Sequence, residues 1–149
     1  MSNYRGQYGW AGVWLDPDLA IKFAIDYLGH IEDLKLIAIA LENYYRDEFL
    51  INYNSKLGID RLLKLGQTIN LNKGFLGYEI LGEDRGSFCS FICNHLETDL
   101  KQKLGIKLNQ YGLIDCYNLA IKATDYINLP KTGAEPLLWQ PWAIIELKI

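Results

Sequence analysis

Leu34-Lys35-Leu36-Ile37-Ala38-Ile39-Ala40-Leu41 is an almost unbroken apolar run, with Asp33 before it and Glu42 after it. The run is far too short to cross a bilayer and shorter than a typical helix, which leaves a β-strand with no solvent-facing side. Such a strand must be covered on both faces, so it is expected in the centre of a sheet with helices against it. A buried helix is the competing reading.

The rest of the chain supplies the cover. Asp16-Pro17-Asp18 is a helix start: Asp16 can cap, Pro17 has the φ of a first helical position, and Asp18 suits the positive end of the helix. Ala20, Phe23, Ala24, Tyr27 and Leu28 then follow the spacing of one buried helical face, and Gly29 can close the helix in the left-handed conformation. Asn43 can cap a short helix over Tyr44 to Leu50, and Ile59, Leu62, Leu63 and Leu65 suggest another that ends at Gly66. Phe75 to Leu81 reads as a strand, with Gly74 and Gly77 permitting a bulge or a close backbone approach. Gly82-Glu83-Asp84-Arg85-Gly86 reads as a turn. Beyond it, Ser87 can cap a long helix whose Phe88, Phe91, Ile92, His95, Leu96 and Leu100 form one stripe up to Leu104 and the closing Gly105. A further helix starts at Asp115, carries Leu119, Ala120, Ala123, Tyr126 and Ile127 on one side, and stops before Pro130. From Trp142 to Ile149 the pattern alternates, with Ala143, Ile145, Leu147 and Ile149 opposite Ile144, Glu146 and Lys148, as in a strand.

Three to four strands and about four helices, with no repeat and no linker, make residues 1–149 one globular domain of the α+β class. A small mixed or antiparallel sheet is expected. An irregular three-layer α/β arrangement is the alternative, and clustering of helices at both ends of the sheet favours α+β.

Half of the residues are hydrophobic and 22% are charged, as in ordinary globular chains. The net charge of −3 speaks against a nucleic-acid partner, since neutralising phosphates takes clustered Lys and Arg. Lys101, Lys103 and Lys107 are interleaved with apolar residues and read as a solvated face near a helix C-terminus. With no signal-peptide core, no membrane-length segment and an odd set of three cysteines, a cytoplasmic protein with free thiols is expected. The aromatic share of 13% exceeds the evident needs of the core, so some rings should reach the surface.

Chemistry is thinly represented. Cys93 and His95 are the nearest nucleophile and base, yet two residues along a helix turn the side chain by about 200°, which points them apart. Cys89 and Cys93 would share a helical face, where core packing competes with soft-metal binding. His95 falls on the apolar stripe and reads as a core histidine; His30 follows a helix stop, where its cation would be favoured. The turn at Gly82 to Gly86 leads into a helix N-terminus, but Glu83 and Asp84 would repel an anion and the P-loop ending is missing. They read instead as a solvated turn or as an acidic patch for a basic partner. Trp139 and Trp142, in Leu137-Leu138-Trp139-Gln140-Pro141-Trp142, are either an exposed aromatic anchor or a cover for the end of the core. No cofactor or metal is expected.

GYEILGEDRGSFCSFICNHLETDL (77–100), LGIKLNQYGLID (104–115) and LLWQPWAIIEL (137–147) together resemble small bacterial proteins, either of the toxin-immunity type or uncharacterised. The resemblance covers roughly the second half of the chain and rests on order and texture. It implies an inhibitor that covers a toxin's active site and performs no reaction. The leading expectation is therefore a non-enzymatic module that binds a basic protein, such as a toxin or nuclease, through Glu83, Asp84, Tyr44, Tyr45, Trp139 and Trp142. The alternative is a small enzyme with a pocket at the strand-to-helix junction, using Glu79, Cys93 and His95. Self-association through the last strand is compatible with both.

Overall fold

A computed structural model describes residues 13–14, 16–52, 63–64, 68–84 and 87–148. Four strands form an antiparallel sheet: β1 (Leu36–Leu41), β2 (Phe75–Asp84), β3 (Ser87–Ser90) and β4 (Trp139–Leu147), in the order β1-β4-β2-β3. Among the described residues four bounded helices, α1 (Pro17–Leu28), α2 (Asn43–Asn52), α3 (Glu97–Leu104) and α4 (Tyr117–Ile127), accompany it, together with a 3-10 turn at Phe91–Asn94 and helical backbone at Leu63 and Lys64. This is the expected α+β class.

The apolar run is not the centre of the sheet. Among the described residues β1 pairs only with β4, and Ile37 is 43% exposed. A continuous apolar run says that both faces shed water; it carries no information on whether both edges are hydrogen-bonded. The inner strands are β4 and β2, and β4 begins at Trp139, three positions before the alternating pattern. Trp139, Gln140, Pro141, Trp142 and Ala143 are all buried, so both faces are covered there and no alternation can show. Alternation sets in only beyond Ala143, where one face opens. Pro141 is tolerated because β1 ends opposite Trp142, one residue short of it, and only Ile80 of β2 pairs with it.

β2 runs to Asp84, through the expected turn, and hydrogen-bonds back onto β3, with Asp84 opposite Ser87. Residues 87–104 are therefore not one helix. Ser87 to Ser90 are strand, Phe91–Asn94 form the 3-10 turn, His95 has a left-handed φ of 56°, and α3 starts only at Glu97. The apolar spacing that mimics a helical stripe is shared out: Phe88 packs beside Trp142, whereas Phe91 is buried in the cluster that contains Trp139.

The local signals fare better. Asp16 Oδ1 accepts from the N–H groups of Asp18 and Leu19. Gly105 closes α3 at φ 69°. Gly29 follows α1 in a right-handed conformation rather than the left-handed one expected. α4 starts at Tyr117, two residues after Asp115, whose carboxylate instead accepts from Asn109 Nδ2. Of the faces expected to be buried, Tyr27 is 40% and Leu119 37% exposed, the inward positions being Ala20 and Ala24 on α1 and Ala120, Ala123, Thr124 and Ile127 on α4. The bulge in β2 lies between Phe75 and Gly77. Gly77 has φ 141°, and a Cβ there would stand 2.7 Å from Leu113 Cβ and 3.0 Å from the Ile114 carbonyl oxygen. Only glycine lets Tyr78 and Ile114 exchange their two backbone hydrogen bonds at 2.8 and 2.9 Å, which clamps the approach to α4 onto the sheet. The helix expected around Ile59 to Leu65 lies outside the described residues, apart from Leu63 and Lys64.

Because paired residues share a face and neighbours alternate, the register assigns every strand side chain to one side. Ile80, Trp139, Ala143 and Ile145 face one side. There Ile80 and Trp139 join Phe91, Leu96, Leu100, Ile106, Ile114, Ala120, Ala123 and Ile127 in the main core. Glu79, Leu81, Phe88, Ser90, Gln140 and Trp142 face the other side, where Phe49 of α2 packs on Trp142.

Candidate functional site

α2 starts two residues after β1 ends and comes to lie over the second face beside the start of β4. Gln140, 1% exposed, fastens it there: its Nε2 donates to the Tyr45 carbonyl at 2.8 Å and to Glu48 Oε2 at 2.9 Å. Phe49 meets Trp142 edge-on at 6.3 Å between ring centroids, and Phe88 of β3 meets the same indole at 5.2 Å. Trp142 is thus the common floor under α2 and the β2–β3 hairpin.

This arrangement redistributes the six residues expected at a partner surface. Trp139 and Trp142 are 1% and 2% exposed, because they stand in the first half of the inner strand β4; of the two readings the core cover holds, and neither ring is a surface anchor. Trp139 Nε1 donates to the Glu135 carbonyl, which satisfies the one polar atom of the buried indole. Tyr45 is 8% exposed. Its hydroxyl is pushed up to about 12, first by burial and then by the negative charges of Asp125 and Glu48. Tyr44 is 67% exposed and stands edge-on to Tyr45 at 5.1 Å, so the buried ring braces the exposed one. Asp84 is exposed and Glu83 half-buried, at the end of the hairpin.

One more residue belongs to this surface. Ile51, 81% exposed, lies two turns along α2 from Tyr44, and Asp47, at the i+3 position from Tyr44, is exposed between them. Its apolar side chain at the far end of a helix in a polar stretch was the available signal. Around this ridge stand the acids Glu42, Asp47 and Glu48 against one base, Arg46, which is paired with Asp47 at 3.0 Å. Glu42 accepts from the Tyr117 hydroxyl at 2.8 Å; burial first, and then this bond, raises the Tyr117 pKa well above the usual phenol value.

At the other expected location, Glu79 is partly buried beside Trp142 and accepts a 2.6 Å hydrogen bond from Ser90 Oγ. Burial lifts its carboxyl to about 6 against the opposing effect of that bond. Cys93 and His95 are both exposed, on the 3-10 turn and just after it, so His95 is not a core histidine. Cys89 is on a strand, half-buried against the main core, and no helix aligns it with Cys93. Burial, followed by the charges of Glu135 and Asp84, pushes its thiol up, away from the thiolate form that a nucleophile or metal ligand needs. Lys101, Lys103 and Lys107 are exposed as expected, and Lys103 donates to Asp99 and to the Tyr126 hydroxyl. Among the described residues, no three His, Cys, Asp or Glu groups are placed to hold a metal ion, and no helix is long and apolar enough to cross a membrane.

No family model matches the chain, and no curated protein or solved structure is similar to it.

Proposed function

We propose that this chain is a protein-binding module of the inhibitor or immunity type, working in the cytoplasm, whose contact surface is the outer ridge of α2. The observation that carries this reading is the pair Tyr44 and Ile51, at 67% and 81% the two most exposed large hydrophobic side chains described, set two turns apart on one helix with Asp47 between them. Water-exposed tyrosine and isoleucine on a rigid helix cost free energy in isolation and recover it by burial in a partner. Tyr45 beneath Tyr44, and Gln140 holding the backbone of α2, fix the ridge before contact, which lowers the ordering cost of binding. Three acids against one base give the ridge a negative field that favours a basic partner such as a toxin or nuclease. Glu83 and Asp84 extend the same sign on the hairpin that shares the Trp142 floor with α2.

Affinity capture from native lysate, at low and at moderate salt, tests the reading when the wild-type chain is run beside a Tyr44→Ala, Ile51→Ala double variant and a Glu83→Lys, Asp84→Lys double variant. One basic protein retained by the wild type, weakened by salt and lost from the α2 variant, is the expected result. A partner retained equally by both variants would place the contact elsewhere, and no partner at either salt would remove the reading.

A further inference from the structure

Ser90 makes two hydrogen bonds that meet at one oxygen. Its Oγ donates to Glu79 Oε1 at 2.6 Å and accepts from the Ile92 N–H at 3.1 Å. A hydroxyl has one proton to give and lone pairs with which to accept, so giving the proton to the carboxylate turns the lone pairs toward Ile92. The Ile92 N–H is one of the donors left without a partner at the start of the 3-10 turn, and Ser90 is its cap. Ser90 also closes the β2–β3 ladder, opposite Leu81, so the last residue of β3 and the first contact of the turn are the same residue.

The bond to Glu79 is charge-assisted while the carboxylate is ionised. Protonation removes that assistance, so the hydroxyl rotor is no longer fixed with its lone pairs toward the Ile92 N–H, and the hold on Ile92 loosens. We infer that Glu79 and Ser90 form a proton-operated coupling between the sheet and the 3-10 turn, holding the turn capped when Glu79 is ionised and releasing the cap when it is protonated. The turn carries the exposed Cys93 and leads into His95, whose left-handed backbone closes it through a 2.9 Å bond from its N–H to the Ile92 carbonyl. Releasing the cap therefore alters the order of a surface that holds a thiol and an imidazole.

The surroundings of Glu79 support this. Trp142 lies opposite it on β4. The other ionisable side chains that the described elements bring to this face are Glu83 on β2, Glu146 on β4, which is paired with Lys35 at 3.5 Å, the buried Tyr45 and, held by Gln140, Glu48 on α2, and the exposed Lys64 next to Leu63; Cys93 and His95 belong to the turn and its end. None of them is hydrogen-bonded to Glu79. Burial lifts the Glu79 carboxyl to about 6, within the range that mild acidification reaches.

Hydrogen exchange at the Ile92 amide, divided by the intrinsic rate at each pH, tests the coupling at about pH 7.5 and about pH 5. Protection at Ile92 should fall several-fold on acidification in the wild type, while the amides of β4 keep theirs. Glu79→Gln, a neutral isostere, should show the low protection at both pH values. Ser90→Ala should do the same. His95→Asn, which tolerates the left-handed backbone, should keep the wild-type response. Equal protection at both pH values in the wild type would overturn the inference, as would a pH response that survives Glu79→Gln or one that disappears in His95→Asn, since the imidazole would then be the titrating group. Wild-type protection in Ser90→Ala would overturn it too.

Discussion

The two faces of the sheet are built on different principles. On the first, α3, α4 and the 3-10 turn close over a cluster in which Ile80, Phe91, Leu100, Ile114, Ala120 and Ala123 are all 0% exposed. Its buried polar groups are answered locally: the Thr124 hydroxyl donates back to the Ala120 carbonyl and the Trp139 indole N–H to the Glu135 carbonyl. On the second, the fully buried hydrophobic pair is Phe49 with Trp142, and polar side chains stand among the rings: Gln140 tying down α2, and Glu79 bonded to Ser90. An apolar, well-packed face supplies stability and little else. A face that fixes its helix by hydrogen bonds gains directional placement at a lower margin of stability, and it is there that the exposed ridge of Tyr44 and Ile51 is held. The contrast teaches where to look for function: over the weaker, more specific face.

Substitutions can break or sharpen that contrast. Trp139→Ala on the first face removes a fully buried ring and should cost about 3–5 kcal/mol in urea unfolding monitored by far-UV circular dichroism. A cost below about 1 kcal/mol would mean that this face is not the main source of stability. Gln140→Leu on the second face keeps the volume but strips the donor from the Tyr45 carbonyl and Glu48, and should cost about 1–3 kcal/mol by the same measurement. An unchanged midpoint would show that α2 is held by packing alone.

Glu79→Gln should act in the opposite direction. With the folded carboxyl at about 6, above its ordinary value of 4.5, the native state binds a proton more tightly than the unfolded chain. The associated stability is fully present below about pH 4.5 and is lost as the pH rises through about 6. The neutral variant should therefore be more stable than the wild type by about 1–2 kcal/mol near neutral pH, the difference shrinking toward acid pH, as read from thermal midpoints across that window. A variant less stable than the wild type at neutral pH would overturn this assignment. The smallest effect on folding is expected for Tyr44→Ala, within about 0.5 kcal/mol by urea unfolding, because the ring is mostly in water. Its effect on partner retention should be large, and this split between stability and binding is the signature of a contact residue.

Much of the local architecture was legible. Asp16-Pro17-Asp18 announced α1, Gly105 announced the end of α3, and Gly77 marked the bulge, because caps and left-handed closures depend on residues within a turn of one another. The stretch from Ser87 to Leu104 was misread for a definite reason. Phe88, Phe91 and Ile92 satisfy a helical period, yet the hairpin pairs Phe88 with Glu83 and sends it to the second face, while Phe91 enters the core of the first. The candidate site was less legible than the fold. Tyr44 was expected at the contact surface and is exposed; Trp139 and Trp142 were singled out by the same aromatic signal and are buried; Gln140 was missed, since a hydrogen bond between residues 92 or 95 positions apart leaves no trace in spacing, Ser90 was hidden by the helical reading of its strand, and the exposed Ile51 was passed over.

What the sequence determined by itself was an α+β chain with the start of α1, the glycine closure of α3 and its apolar strands, all of which follow from the preferences of short segments. Which strands lie inside the sheet, which aromatic rings face water, and which carboxylate is drawn out of it were decided only by the tertiary structure. Those outcomes depend on the pairing of β4 with β1 on one side and β2 on the other, and on α2 settling over Trp142, contacts between segments far apart in the chain whose free energy no local pattern encodes.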